Sequence, residues 1–234
     1  MEALKKLING SDNIVFFGGA GVSTESGIPD FRSTNGLFNE KYKFPPETML
    51  SYDFFINNRV EFYKFYRGKM IYPDARPNKA HVKLAELEEM GKLKAIITQN
   101  IDGLHQMAGS KKVLELHGSV HRNNCMCCGK TYAIDVLLKG KDIPLCECSG
   151  VIKPDVVLYG EGLDGNVLTR AIHFISSADV LIIGGTSLNV YPAAGLIDYY
   201  KGGKLVLVNK SATPFDGRAD LIINEAIGEV FGDL

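Results

Sequence analysis

Residues 14–33 read IVFFGGAGVSTESGIPDFRS, and the fold follows from how that stretch is built. Ile14-Val15-Phe16-Phe17 is a continuous apolar run of the kind that a strand buried on both faces requires. Glycines stand at 18, 19 and 21 directly after it. A glycine-rich turn at the end of a buried strand lets backbone N–H groups approach a phosphate with no side chain in the way. A helix starting near Ser23 would add its terminal N–H groups and dipole to that attraction. The spacing departs from the GxGxxG dinucleotide fingerprint, because the next glycine is Gly27. The turn runs instead into Ile28-Pro29-Asp30-Phe31-Arg32, a fixed backbone followed by an acid, an aromatic and a guanidinium. The stretch reads as a nucleotide site of unusual pattern.

Short apolar strands recur at 93–98, 113–116, 180–183, 205–208 and 221–223, and 156–158 is extended. Helical patterns lie between them: a short one at 3–9, others at 168–177 and 192–200, and one at the end of the chain. A clearer helix opens at Pro77–His81, carries Ala80, Leu84, Leu87 and Met90 on one stripe, and stops at Gly91. Strands alternating with helices predict a parallel sheet covered on both faces. Ligands of such sheets bind beyond the carboxyl ends of the strands. The residues following each strand are therefore expected on one edge: the Gly19–Ser33 loop, Gln99-Asn100-Asp102, His117, Gly185-Thr186-Ser187 and Asn209.

Two segments interrupt the alternation. Residues 34–75 are rich in aromatics, with 51–69 helical and Phe54, Phe55, Val60, Phe62 and Phe65 on an imperfect stripe. That segment reads either as a small helical subdomain with an aromatic core or as a mobile cover over the nucleotide. Residues 119–154 hold all five cysteines. Cys125-x-x-Cys128-Gly129 and, 17 residues later, Cys146-x-Cys148 offer four thiolates for one tetrahedral zinc. Cys127 is a spare. No histidine or acid joins at ligand spacing, so the zinc is expected to be structural and to supply the folding free energy of a segment poor in apolar residues.

The 234 residues can bury a full core. A net charge of −1 gives no reason to expect a nucleic-acid backbone or an anionic membrane as partner. No apolar run approaches the roughly 20 residues that span a bilayer, and MEALKKLINGSDN lacks the features of a secretory signal. A cytoplasmic protein is the expectation, and clustered cysteines in a reducing compartment point to metal before disulfide. Of the five histidines, His81 and His173 read as structural, His121 borders the cysteine segment and His105 follows a glycine at a helix start. His117 ends a strand on the ligand edge, before a glycine that gives it room, where a neutral imidazole can take a proton from a sugar hydroxyl. Asn100 and Asp102 could bind an amide and a ribose, although Asp102 also suits a helix cap.

Taken together, GAGVSTESGIPDFRS, TQNIDGLH (98–105), ELHGSV (115–120), the cysteine quartet, IKPDVVLYGE (152–161), GTSLNVYPAAGL (185–196) and VNK (208–210) resemble the sirtuins, NAD-dependent protein-lysine deacylases, and their bacterial or archaeal branch in particular. The resemblance implies an α/β fold: a Rossmann-like parallel sheet with helices on both faces, formed by 1–33, 76–118 and 155–234. A small domain would combine a helical part, 34–75, with a zinc-binding part, 119–154. It implies that His117 is the general base, acting with Asn100 and Asp102. Ala20, Gly21, Thr24, Asp30, Phe31 and Arg32 would line the nicotinamide and phosphate region, with Gln99, Asn100, Ile101 and Asp102 on the ribose and carboxamide. Gly185, Thr186, Ser187, Asn209 and Ile227 would hold the adenosine half. Acyl-lysine would enter near Phe31 and Val157, its peptide adding a strand beside Gly160, Glu161 and Leu163. The implied products are nicotinamide, free lysine and O-acyl-ADP-ribose, and the implied partners are acylated proteins or peptides. A monomer is the expectation for the chain itself. The desuccinylating branch carries a tyrosine and an arginine three residues apart. Here Tyr66 holds the position three after Tyr63, and the arginine is Arg67, rotated by about 100° around the helix. Acetyl and other neutral acyl groups are therefore expected over succinyl. Protein mono-ADP-ribosylation, or a non-enzymatic NAD-sensing module, is the alternative.

Overall fold

The computed structural model describes residues 1–33, 36–39, 42–140 and 142–234; positions 34, 35, 40 and 41 of the aromatic segment, and 141 of the cysteine segment, lie outside them. Strand β1 (Ile14–Gly18) is buried at every position, as its apolar run requires. It lies at the centre of a six-stranded sheet with β2 (Leu93–Thr98), β3 (Val113–Glu115), β7 (Val180–Gly184), β8 (Lys204–Val208) and β9 (Leu221–Ile223). A separate antiparallel sheet, ordered β5-β4-β6, is formed by β4 (Gly118–Cys125), β5 (Thr131–Tyr132) and β6 (Ile152–Val156).

The large sheet runs β3-β2-β1-β7-β8-β9, and all of its pairings are parallel. The chain leaves β1 first to one side and then to the other, so the order reverses between β1 and β7. That reversal opens a crevice outside the carboxyl ends of the two strands.

The helices are α1 (Glu2–Asn9), α2 (Pro46–Met49), α3 (Tyr52–Asn57), α4 (Arg59–Lys69), α5 (Lys79–Glu89), α6 (Leu104–Met107), α7 (Asp135–Leu138), α8 (Gly165–Ser177) and α9 (Ile227–Gly232). Alternate strand residues face opposite sides of the sheet. Ile14, Phe16, Ile96, Ile182 and Val206 pack against Leu4 and Ile8 of α1, Leu84 and Leu87 of α5, and Val230 and Phe231 of α9. Val15, Phe17, Ile97, Leu181, Ile183 and Leu207 pack against Ala171 and Ile175 of α8 and against Leu196 and Ile197. A third core joins Phe55, Phe62, Tyr63 and Tyr66 of the aromatic helices to Val120, Leu137, Val156 and Leu158 from around the small sheet. The two interrupting segments thus bury their apolar groups against each other.

Several expectations differ in detail. The helical stretch 51–69 is two helices, capped by the Ser51 side chain and broken at Asn58, whose φ of −135° is not helical. Val60 is 65% exposed, so it stands off the apolar stripe. Met90 lies just past the end of α5 and is 67% exposed, because the helix closes at Glu89 on the left-handed Gly91. No α-helix starts near Ser23. Two 3-10 turns, Ala20–Val22 and Thr24–Ser26, end at Gly27 with φ +84°. Residues 193–199 also form a 3-10 helix, and β3 stops one residue before Leu116. Strand β4 was not expected from the sequence. Its GSVHRNNC pattern has few apolar positions, because two of its buried residues, Ser119 and Asn123, are polar. Extended residues 156–158 begin only where β6 ends.

Candidate active site

One cavity of about 960 Å³ occupies the crevice. Its wall takes residues from beyond every strand of the large sheet: Ala20 and Gly21 after β1, Gln99 to Asp102 after β2, His117 after β3, Gly185 to Ser187 after β7, Asn209 after β8 and Ile227 after β9. Six strands at roughly 4.8 Å spacing make that edge about 24 Å wide, long enough for an extended dinucleotide. Thr24, Asp30, Phe31 and Arg32 line it as well, as do Val157, Gly160, Glu161 and Leu163. All the non-cysteine residues named from the sequence as cofactor, catalytic or substrate groups therefore meet at one cavity.

The centre depends on the close approach of two turns. Gly21 N–H donates to the Gly185 carbonyl at 2.7 Å. Gly185 has φ +58°, and a Cβ there would collide with the Val22 nitrogen. Only glycine meets both demands. Gln99 Nε2 donates to Thr186 Oγ1 at 2.9 Å, bracing the β2 loop against the β7 loop. Asn209 accepts from Thr186 N–H at 3.0 Å and donates back to the Thr186 carbonyl at 2.7 Å. Its amide therefore shapes the β7 loop.

On the β2–β3 side, the His117 ring nitrogen Nδ1 lies 3.0 Å from the Gln99 carbonyl. A carbonyl only accepts, so Nδ1 carries the proton and the lone pair is on Nε2. Burial pushes the His117 pKa below its ordinary value, against the pull of the Gln99 bond, and keeps the ring neutral. The glycine that follows serves the small sheet: Gly118 has φ +76°, and a Cβ would collide with the Asp155 carbonyl across the β4–β6 pair. Room for the imidazole is not its main reason.

Asn100 and Asp102 meet through a residue that sequence reasoning passed over. Ser23 is buried and donates from Oγ to Asp102 Oδ2 at 2.7 Å, while Asn100 Nδ2 donates to the same Oγ at 3.0 Å. Asp102 Oδ1 accepts from Leu104 N–H at 2.9 Å. The acid thus serves the start of α6 with one oxygen and the Ser23 relay with the other. Burial raises the Asp102 pKa, with the Ser23 and Leu104 bonds opposing it. Also unforeseen is Glu25, whose carboxylate accepts from Gly228 N–H at 2.7 Å and ties the first loop to α9 beside Ile227. Ile28, Asn189, Val190 and Tyr191 line the cavity too. A serine inside the glycine loop was the one available signal for Ser23, since its partners lie 77 and 79 residues away.

At the peptide side, the Glu161 carboxylate accepts from Leu158 N–H at 2.8 Å and pairs with Lys153 Nζ at 2.9 Å. Its charge holds the 158–161 turn. Phe31 stacks edge-on against Phe38 at 5.4 Å. Arg67 donates to the carbonyls of Leu137 and Asp142, and Tyr63 donates to that of Ile152, all at 2.5 Å. Tyr66 is buried, and its hydroxyl meets no partner among the described residues.

The ligand atoms of Cys125, Cys128, Cys146 and Cys148 all lie within 4.8 Å of one another. Cys125 and Cys148 are 3.5 Å apart at sulfur, and Cys128 and Cys146 are 3.6 Å apart. Tetrahedral zinc with Zn–S of about 2.3 Å asks for about 3.8 Å, so the quartet fits. Cys127 is exposed and stands outside it. Tyr132 donates its hydroxyl to Cys146 Sγ at 2.9 Å.

These features agree with comparisons to known proteins. The Sir2 family profile matches residues 19–192, well over half of the chain. NAD-dependent protein deacetylases of Clostridium perfringens and Clostridium acetobutylicum are 64% and 61% identical, covering 99% and 98% of this chain and 97% and 96% of their own. A solved Sir2 structure with a deacetylated p53 peptide and 3'-O-acetyl ADP-ribose superposes with a TM-score of 0.91 at 45% identity, over 99% of this chain and 95% of that one. The matched length, the parallel sheet and the cysteine quartet lead to one conclusion: this chain belongs to the Sir2 family.

Proposed function

We propose that this protein removes acetyl and other neutral acyl groups from protein lysine side chains, using NAD as co-substrate and releasing nicotinamide, free lysine and O-acyl-ADP-ribose. One observation carries the reading: a neutral imidazole, held by Gln99 so that Nε2 is free to accept a proton, shares a cavity wall with the Asn100–Ser23–Asp102 relay.

NAD supplies the electrophilic sugar carbon and the acyl acceptor. The chain's residues do the rest. Gly21 and Gly185 leave room for a pyrophosphate at the switch point. Asn100 and Asp102 orient the ribose and carboxamide, with Ser23 fixing both side chains. His117 accepts a ribose hydroxyl proton at Nε2. Phe31 shields the reacting face from competing water. The acyl-lysine passes Phe31 and Val157, and its peptide pairs beside Gly160 and Leu163, where Glu161 holds the turn through Lys153. The zinc held by Cys125, Cys128, Cys146 and Cys148 is structural, and it stabilises the small domain formed by 34–75 and 119–154 beside the domain of 1–33, 76–118 and 155–234.

The neutral-acyl preference is supported by the aromatic helices. Tyr66 stands where a carboxylate-binding arginine would be needed, and Arg67 is turned onto two backbone carbonyls. We place the protein in the cytoplasm, where reducing conditions preserve a thiolate quartet. No helix among the described residues is long and apolar enough to cross a membrane. One chain supplies every group of the site, so a monomer suffices.

The test is incubation with NAD and a panel of acylated lysine peptides, with the products weighed. Free lysine, nicotinamide and O-acyl-ADP-ribose are expected, and His117→Ala should abolish turnover while retaining NAD binding. ADP-ribosylated peptide without free lysine would establish the transferase instead. Higher catalytic efficiency on succinyl- than on acetyl-lysine would reject the acyl preference.

A further inference from the structure

We propose that His121 is a positioning residue for the loop that carries Asn100 and Asp102, and that through this loop it sets the affinity for NAD. The inference rests on the NAD reading above. Its basis is an irregularity in β4. The β4–β6 ladder pairs Ser119 with Asp155 and then Asn123 with Pro154, leaving residues 120–122 without a partner on β6. Bulges of this kind re-aim side chains. Here two of the bulged residues reach one loop, at Ile101 and Asp102, and the third reaches Glu115 at the end of β3. Val120 N–H donates to the Ile101 carbonyl at 3.0 Å. His121 Nε2 lies 2.9 Å from the Asp102 carbonyl. Arg122 pairs with Glu115 at 2.7 Å and Asp155 at 2.8 Å. The bulge itself is held by His121 N–H donating to Ser119 Oγ at 3.2 Å.

The receiving loop is shaped for the ring. Gly103 has φ +73°, and a Cβ there would stand 2.7 Å from His121 Cδ2 and 2.8 Å from Nε2. The imidazole therefore lies against a bare Cα, with its Nε2–H on the carbonyl just before it. Ile101 and Asp102 accept from consecutive residues of β4, so the peptide planes on both sides of the Asp102 side chain are held by Val120 and His121, which line the cavity themselves. Ser23 and Leu104 N–H hold its carboxylate. Without His121 those carboxylate contacts remain, but the Asp102–Gly103 peptide loses its hold. The ring is exposed, so the side chain can be changed without opening a cavity.

The experiment compares His121→Ala, His121→Asn and His121→Gln with the wild-type zinc-loaded protein. Glutamine places an N–H where Nε2 stood, whereas asparagine falls short. The readouts are NAD affinity by calorimetry without peptide, amide hydrogen exchange over 101–105, KM for NAD and for acetyl-lysine peptide, zinc content and Tm. For one lost hydrogen bond, the alanine and asparagine variants should weaken NAD binding and raise its KM by about three- to tenfold. They should also exchange faster at 101–105, with peptide KM, zinc content and Tm unchanged. Glutamine should return NAD affinity to within about twofold of wild type, most of that one hydrogen bond being regained. The proposal is overturned if alanine matches wild type in exchange and NAD affinity, if glutamine is as impaired as alanine, or if zinc is lost in step with affinity. A wild-type protein that neither binds NAD nor deacylates would overturn the parent reading instead, and the exchange data would then judge the loop contact alone.

Discussion

Replacing His105 by leucine should stabilise the protein at pH 8 and flatten its response to acid. His105 lies on α6, 1% exposed, with its ring 4.7 Å from that of His81 and 6.2 Å from that of Phe16. Neither ring nitrogen has a hydrogen-bond partner among the described residues, and His81 Nε2 has none either. A buried polar group left unpaired costs about 1–3 kcal/mol, so an apolar side chain of similar volume should gain on the order of 1 kcal/mol. Burial holds the pKa of His105 down to about 3, with the neighbouring His81 adding to the shift, and burial holds His81 down to about 4. Both values lie below that of the unfolded chain, so the unfolded chain binds more protons as the pH falls. Stability is therefore complete above about pH 6.5 and is lost on descent toward the folded values. At pH 5 each histidine then costs about 2 kcal/mol, or about 4 kcal/mol together, against a total of about 5–15 kcal/mol for a typical domain. His105→Leu removes half of that. Urea unfolding of both proteins at pH 8, 7, 6 and 5 gives the comparison, and acid effects on the thiolate quartet cancel in the difference. The reasoning is refuted if the variant unfolds at lower urea than wild type at pH 8. An unchanged difference between pH 8 and pH 5 would refute it as well.

Three further outcomes are expected. The pH profile of kcat/KM should keep its acid limb below the ordinary imidazole value of about 6.5, because burial lowers the His117 pKa and the base must be neutral; an acid limb above 7 would contradict this. Ser23→Ala should lower kcat by at least about tenfold and destabilise the protein by about 1–3 kcal/mol, since it leaves Asn100 and Asp102 without their shared hydroxyl; wild-type kcat would remove Ser23 from the site. Stripping zinc with a strong chelator should unfold the β4–β6 sheet and abolish deacylation while the six-stranded sheet remains, as far-ultraviolet circular dichroism and hydrogen exchange would report; full activity at zero zinc would count against a structural metal.

The large sheet, the edge that carries the site and the thiolate quartet were legible in the chain itself. Each is written in near neighbours. A buried parallel strand must be continuously apolar, as Ile14–Phe17 and Val180–Ile183 are. In such a sheet the residue after each strand falls on one edge, and two cysteine turns can face one ion. Other features were decided only by tertiary structure. Ser23 gains its role from Asn100 and Asp102, far along the chain. Arg67 turns toward Leu137 and Asp142 because the two interrupting segments share a core. Residues 120–122 leave their ladder to clasp Ile101, Asp102 and Glu115. The physical reason is common to all three: periodicity records what a residue needs from its own element, whereas the partner of a hydrogen bond is chosen when separate elements pack.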